Sequence, residues 1–259
     1  MFDAGLWFAG LASLAVFALA GWALSVPLRN VSIVDSLWSL MFVLAAATYV
    51  VAGDENIGPR AVLVLVLVCA WAIRLAAYIT WRNRGHGEDF RYREIRARNE
   101  PNFAFKSLYL VFGLQAVLAW VISLPLLAAI HSDAPLGWLD LAGVALWCIG
   151  FVFETSGDWQ LARFKADPGN RGRVLDTGFW RYTRHPNYFG DFCVWWGFFL
   201  IALSAGGAWS VVGPALMSML LLKVSGVALL EKDIGERRPA YRDYVRRTNA
   251  FFPGPPRAA

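Results

Sequence analysis

The stretch Tyr182-Thr183-Arg184-His185-Pro186-Asn187-Tyr188-Phe189-Gly190-Asp191 joins a polar loop to an apolar helix. Pro186 suits the first turn of a helix, where its missing N–H leaves nothing unpaired. Arg184 and His185 then fall just before a helix N-terminus, a position that favours anions. Asn187 and Asp191 are four apart and share one helical face. The helix continues as Phe192-Cys193-Val194-Trp195-Trp196-Gly197-Phe198-Phe199-Leu200, which reads as membrane. A basic platform leading to an intramembrane carboxylate suits a charged cofactor with a buried reactive end.

The surrounding composition extends that reading. The 259 residues are 58% apolar, with a mean hydropathy of +0.46, against roughly 45–50% apolar in soluble domains. Apolar runs separated by polar loops predict an all-α, polytopic integral membrane protein. Seven spans are expected, at 4–26, 33–52, 61–81, 108–130, 136–154, 188–205 and 209–230. No linker divides them, so 1–259 reads as one membrane-embedded domain, with 154–253 mainly cofactor-binding. Cys69, Cys148 and Cys193 all lie in apolar runs, without metal spacing or a disulfide framework. His86, His131 and His185 are scattered, so no metal site is expected. Met1-Phe2-Asp3 carries no basic residues, and the first run reads as a retained helix rather than a signal peptide.

Charge gives the orientation. Arginines and lysines crowd the loop after the third span (Arg82 to Lys106), the loop after the fifth (Arg163 to Arg184) and the tail (Lys232 to Arg257). The opposite loops hold only Arg60 and His131 beside Asp54, Glu55 and Asp133. By the positive-inside rule the N-terminus is outside and the C-terminus cytoplasmic. Orientation and anionic-lipid contact account for most of these arginines. The segments 83–89 and 167–173 are punctuated by glycine, which permits close backbone approach to a ligand, and their arginines suit phosphate.

Asp35, Arg74, Glu154, Asp191 and Lys223 fall within or at the ends of spans, where ionisable groups are costly and mark function. All lie in the half nearer the basic loops, which predicts one polar cavity opening inward. Asp140, at the other end of the fifth span, reads as interfacial. The plainer alternative is ion pairing that fixes helix packing, for instance Arg74 with Asp35. A second plain role for Asp35 is to satisfy free N–H groups at the start of its helix.

The motif from Arg184 to Asp191 resembles that of the steroid 5α-reductase family in its bacterial branch, and more distantly the sterol C14-reductase-type enzymes. The resemblance runs from about Asn30 to Pro253 and is strongest from Glu154 to Trp195. It implies a seven-helix membrane reductase using NADPH. Glu154 and Asp158 then fall on the adenosine and ribose side, and Lys165 and Arg173 among the phosphate-binding cations. Asn187 and Asp191 fall at the nicotinamide end, and Trp195 in the cavity. Tyr182, His185 and Tyr188 belong to the same cofactor-binding motif. Arg74 and Tyr78 resemble an Arg–Tyr pair one turn apart, followed by an Asn83-Arg84-Gly85 match. Asp35 falls where related enzymes carry a glutamate near the substrate ketone. The tyrosine that partners that glutamate is replaced by Trp71, Lys165 stands where arginine is usual, and Glu154 where animal enzymes carry asparagine. In the tail, Glu231, Tyr241 and Tyr244 are the candidates for cofactor contact.

The implied chemistry is hydride addition to the β-carbon of an apolar enone such as a 3-oxo-4-ene steroid, with an acid polarising the carbonyl. Asp35, Tyr78 and Arg74 are the catalytic candidates; Asp35 donates only if burial keeps it protonated. No GxGxxG fingerprint marks a Rossmann domain. The expected setting is a bacterial inner membrane, with the cofactor site facing the cytoplasm. The expected partners are a steroid-like substrate entering from the bilayer and lipids. Nucleic acid is not expected, and the chain is expected to be a monomer. Isoprenylcysteine and phospholipid methyltransferases share Arg-His-Pro-x-Tyr-x-Gly and a Glu…Tyr-x-x-Tyr tail, and bind S-adenosylmethionine at the equivalent place. A non-enzymatic scaffold is a third reading.

Overall fold

The computed structural model describes residues 2–53, 57–224, 227 and 240–257. These form helices α1 (Ala4–Leu28), α2 (Ile33–Ala52), α3 (Pro59–Asn83), α4 (Phe90–Asn99), α5 (Phe103–Ile122), α6 (Leu124–Ile130), α7 (Trp138–Ala166), α8 (Pro186–Ser204), α9 (Ala208–Val224) and α10 (Ala240–Arg247). Among the described residues there is no strand. Five helices, α1, α2, α3, α5 and α7, are long and apolar enough to cross a bilayer. The protein is thus all-helical with the architecture of a polytopic membrane protein. Such a fold satisfies the backbone within each helix, as hydrocarbon demands.

Two compact units are distinguished, Met1–Gly137 with Ala202–Val212, and Trp138–Ile201 with Gly213–Ala259. In the first, α1 lies antiparallel to α2 because two of its glycines leave room. A Cβ at Gly10 would meet the Tyr49 ring at 2.6 Å, and one at Gly21 would meet Leu37 at 2.7 Å. Trp7 and Trp120 stack at 3.8 Å and exchange indole N–H bonds to each other's carbonyls, tying α1 to α5. Ser39 donates to the Ala72 carbonyl at 2.9 Å, so α2 and α3 meet through a satisfied hydroxyl. Small and hydroxyl residues at such contacts are how helices associate without a hydrophobic drive.

The fourth and fifth spans have clearly different bounds, and the end of the seventh, over 225–230, lies almost wholly outside the described residues. The fourth was expected unbroken over 108–130. Instead its helix starts at Phe103 and stops at Ile122, and α6 begins after Ser123. Pro125 has no N–H for the next helical bond, and Leu126 and Leu127 turn back to the Ser123 carbonyl. The fifth was expected to end at Glu154, but α7 runs on to Ala166. Its polar residues Glu154 and Asp158 are buried and continue the helix rather than ending it. Pro168 follows, and disfavours helical geometry at Asp167. The sixth begins at Pro186, as the motif implies.

Candidate functional site

In the second unit the site is built on a glycine seam. Gly143, Gly150 and Gly157 recur every seven residues on α7 and keep one line of the helix facing α8. A Cβ at Gly143 would lie 2.7 Å from the Gly197 carbonyl oxygen, one at Gly150 2.5 Å from that of Gly190, and one at Gly157 3.1 Å from Pro186. From the other side, a Cβ at Gly190 would lie 2.4 Å from the Glu154 nitrogen. The two antiparallel backbones therefore nearly touch.

That closeness fixes the polar groups at one end of the seam. Glu154 and Asp158 are 3% and 5% exposed. Asn187, in the first turn of α8, donates its carboxamide N–H to Asp158 Oδ1 at 3.1 Å. Trp180 donates its indole N–H to the Gly157 carbonyl at 3.1 Å. Gly178, at φ +61°, leaves room for the Gln160 carboxamide, whose oxygen accepts from the Phe179 N–H. Asp191 lies one turn beyond Asn187 with Oδ1 shielded from solvent, and Trp195 is fully buried. His185 stacks on Tyr188 at 5.7 Å and 6°. Lys165, Arg173 and Tyr182 are exposed.

Arg184 departs from its expected place in an anion platform. It is 6% exposed and donates to the carbonyls of Val245 and Thr248, at 3.2 and 2.6 Å. Its own N–H bonds to the Asn249 carbonyl at 2.9 Å. The guanidinium thus fastens the tail, because α10 ends there and leaves carbonyls without helical partners. Tyr244 reinforces this by donating to the Trp180 carbonyl at 2.5 Å, with Tyr241 edge-on to it at 5.3 Å. Glu231 lies outside the described residues.

In the first unit, Arg74 and Tyr78 are half-buried one turn apart on α3. The Arg82 guanidinium lies 5.8 Å from the Tyr78 ring centroid, and its Nε donates to Asn83 Oδ1 at 3.2 Å. Arg84 caps the C-terminus of α3.

Asp35 neither pairs with Arg74 nor caps its own helix. Its carboxylate accepts from Arg91 Nη2 at 2.7 Å and from the Tyr92 hydroxyl at 2.5 Å. Both donors lie on α4, outside the expected spans, rather than on α3, where the alternative of ion pairing with Arg74 would have placed the partner. Gln115 of α5 donates to the same Tyr92 oxygen at 3.3 Å. Around this pair, Ser32 Oγ accepts from the Asp89 N–H at 2.7 Å and Asp89 binds Arg91 at 3.0 Å. Glu88 accepts two bonds from Arg96, at 2.8 and 2.9 Å, and one from the Val31 N–H at 3.0 Å. The start of α2 is thereby bound to the start of α4.

The electrostatics follow. Burial alone would raise Glu88, but Arg96 and the Val31 N–H bring it below the ordinary glutamate value. Burial alone would likewise raise Asp89, and Arg91 overcomes it to leave Asp89 lowered. Tyr92 is raised, first by burial and then by the negative charge of Asp35. Asp35, which accepts from both donors, holds the Tyr92 proton in place. Tyr92, Arg91 and Gln115 were not among the sequence candidates. A signal existed: Tyr92, Ile95, Arg96 and Asn99 recur at helical spacing and are the more sheltered face of an otherwise charged α4.

Fold and site define an all-helical chain with the architecture of a polytopic membrane protein, carrying one buried polar cluster between α7 and α8 and one partly exposed cluster where α4 meets the start of α2. The chain belongs to the family described as Protein of unknown function (DUF1295), which matches residues 21–248. An uncharacterized protein of Schizosaccharomyces pombe is 25% identical over 262 residues, which cover 90% of this chain and 75% of the yeast protein. No solved structure matches the chain with significance.

Proposed function

We propose that the protein is an NADPH-dependent reductase of an apolar enone, of the steroid 5α-reductase type, acting on the 4,5 double bond of a 3-oxo-4-ene steroid. The observation that carries this reading is the Asp158–Asn187 bond of 3.1 Å, held at a glycine seam between two apolar helices. A fixed carboxylate accepts from sugar hydroxyls, and an amide that spends one N–H on that carboxylate keeps its oxygen for a carboxamide donor. These residues fit a dinucleotide. Asp158 and Glu154 would hold its ribose side, Lys165 and Arg173 its phosphates, and Asn187 and Asp191 its nicotinamide end. Bound NADPH would supply a hydride for the enone β-carbon and leave as NADP⁺, with the α-carbon taking a proton from solvent.

The chain's own contribution is binding, orientation and proton control. Trp195 and its apolar neighbours exclude water, which strengthens each polar contact. Asp35 takes the role of the acceptor that orients the Tyr92 phenol and anchors its helix. Seven spans, an outer N-terminus and basic cytoplasmic loops in a bacterial inner membrane complete the proposal. Binding of NADPH, NADH and S-adenosylmethionine to the protein in lipid nanodiscs tests it by calorimetry. Saturable binding of NADPH, lost in Asn187→Ala, supports the reductase. Binding of S-adenosylmethionine in its place supports methyl transfer and overturns it.

A further inference from the structure

An open groove runs along the first unit, lined by Leu40 of α2 and by Ile73, Ala76, Ala77, Thr80, Trp81 and Arg84 of α3. The α3 residues recur at three and four, so they form one face of the helix. The groove exists because Ala76 and Ala77 are small between the larger Ile73 and Trp81. Its volume is about 470 Å³, within the roughly 300–1,000 Å³ of ligand clefts. Ile73 and Trp81 are 61% and 63% exposed, so none of the described residues covers it.

Its length and its polarity point to one occupant. From Ile73 to Arg84 the helix rises about 16 Å, close to half of the ~30 Å hydrocarbon core of a bilayer. Apart from the Thr80 hydroxyl the groove is apolar over that depth, and it ends at Arg84, with the exposed Arg82 beside it. Among the described residues no carboxylate pairs with Arg84. The nearest acids in sequence, Glu88 and Asp89, are engaged by Arg96 and Arg91. Trp81 marks the level at which amphipathic rings meet lipid headgroups.

We propose that this groove is a binding site for an anionic membrane phospholipid, one acyl chain lying along Leu40, Ile73, Ala76 and Ala77 and the phosphate resting on Arg84. A guanidinium binds phosphate bidentately, and a free one at the headgroup level selects for negative charge. This gives Arg84 a lipid in place of the cofactor phosphate that its resemblance implies, and it holds whether or not the protein is a reductase.

Native mass spectrometry of the delipidated full-length protein, titrated with phosphatidylglycerol and separately with phosphatidylcholine, tests the site. One phosphatidylglycerol should be retained in preference to phosphatidylcholine. Arg84→Gln should reduce that preference about fivefold, the factor for one basic residue at an anionic surface. Ala77→Phe, at an exposed alanine, should fill the groove and weaken both lipids, with an unchanged melting temperature reporting an intact fold. Equal binding of the two lipids overturns the proposal, as does a preference untouched by Arg84→Gln or binding untouched by Ala77→Phe. Binding of glycerol phosphate as tight as that of phosphatidylglycerol also overturns it, since the site would then read an anion without a chain.

Discussion

Tyr92 donates its hydroxyl proton to Asp35 across 2.5 Å, from a charged surface helix to the first turn of an apolar one. Hydrogen bonds to charged groups contribute about 1.5–3 kcal/mol each. Tyr92→Phe and Asp35→Asn should each destabilise the docking of α4 by about that amount. The double variant should lose little more than the worse single one, because the two remove the same bond. Hydrogen exchange across residues 90–99 measures this. Strict additivity would mean that the two residues act separately.

The same junction should respond to acid. Glu88 and Asp89 have folded-state values below their ordinary 4.5 and 3.8, so each binds a proton less readily when folded. Their stabilisation is present above those values and is lost as pH falls below them through the folded values. Tyr92 runs the opposite way. Its value is raised, so its contribution is complete below the ordinary phenol value of 10.0 and declines above it. Hydrogen-exchange protection of residues 90–99, corrected for the intrinsic pH dependence of exchange, should show a flat plateau from about pH 5 to 9. Loosening that begins near pH 7 would point to a histidine instead.

The glycine seam gives a contrast between space and backbone. Gly190→Ala would place a methyl group 2.4 Å from the Glu154 nitrogen, with backbone rather than a flexible side chain in the way. It should cost at least the 1–3 kcal/mol of an overpacked core and weaken NADPH binding by parting α7 from α8. Gly85 has nothing within 4 Å but a φ of +80°. Gly85→Ala should therefore cost only about 1 kcal/mol, from strain alone. Thermal unfolding in detergent compares the two, and equal losses would remove the seam as the tighter constraint.

Much of this fold is legible because hydrocarbon makes a simple demand: long apolar runs must be helices. The start of α8 was readable from Pro186, and the face shared by Asn187 and Asp191 from their spacing. The break at Ser123 was not, since Pro125 sits in a run as apolar as its neighbours and only lost N–H bonding ends the helix. The extension of α7 was hidden by Glu154 and Asp158, whose polarity mimics a membrane exit while tertiary burial overrides it. The Asp35–Tyr92 link joins positions 57 apart, and no local pattern encodes such a pairing. Arg184 shows the converse: its sequence position favours an anion, and the tail carbonyls take it first.

Orientation rests on the charged loops, so it is open to a direct test. Cysteines placed at the exposed Arg98, Arg171 and Arg257 should all react with an impermeant maleimide only after the inner face is opened. Labelling of any one of them in intact cells would break the seven-span topology.

Transfer of deuterium tests the proposed chemistry most directly. NADPH carrying deuterium on the reactive face of its nicotinamide C4, incubated with the protein in nanodiscs and a 3-oxo-4-ene steroid, should yield a saturated ketone one mass unit heavier, labelled at the β-carbon. Asn187→Ala should abolish that transfer through loss of NADPH binding, as in the binding test. An unlabelled or unreduced steroid, beside transfer of a labelled methyl group from S-adenosylmethionine to a lipid acceptor, would contradict the reductase reading.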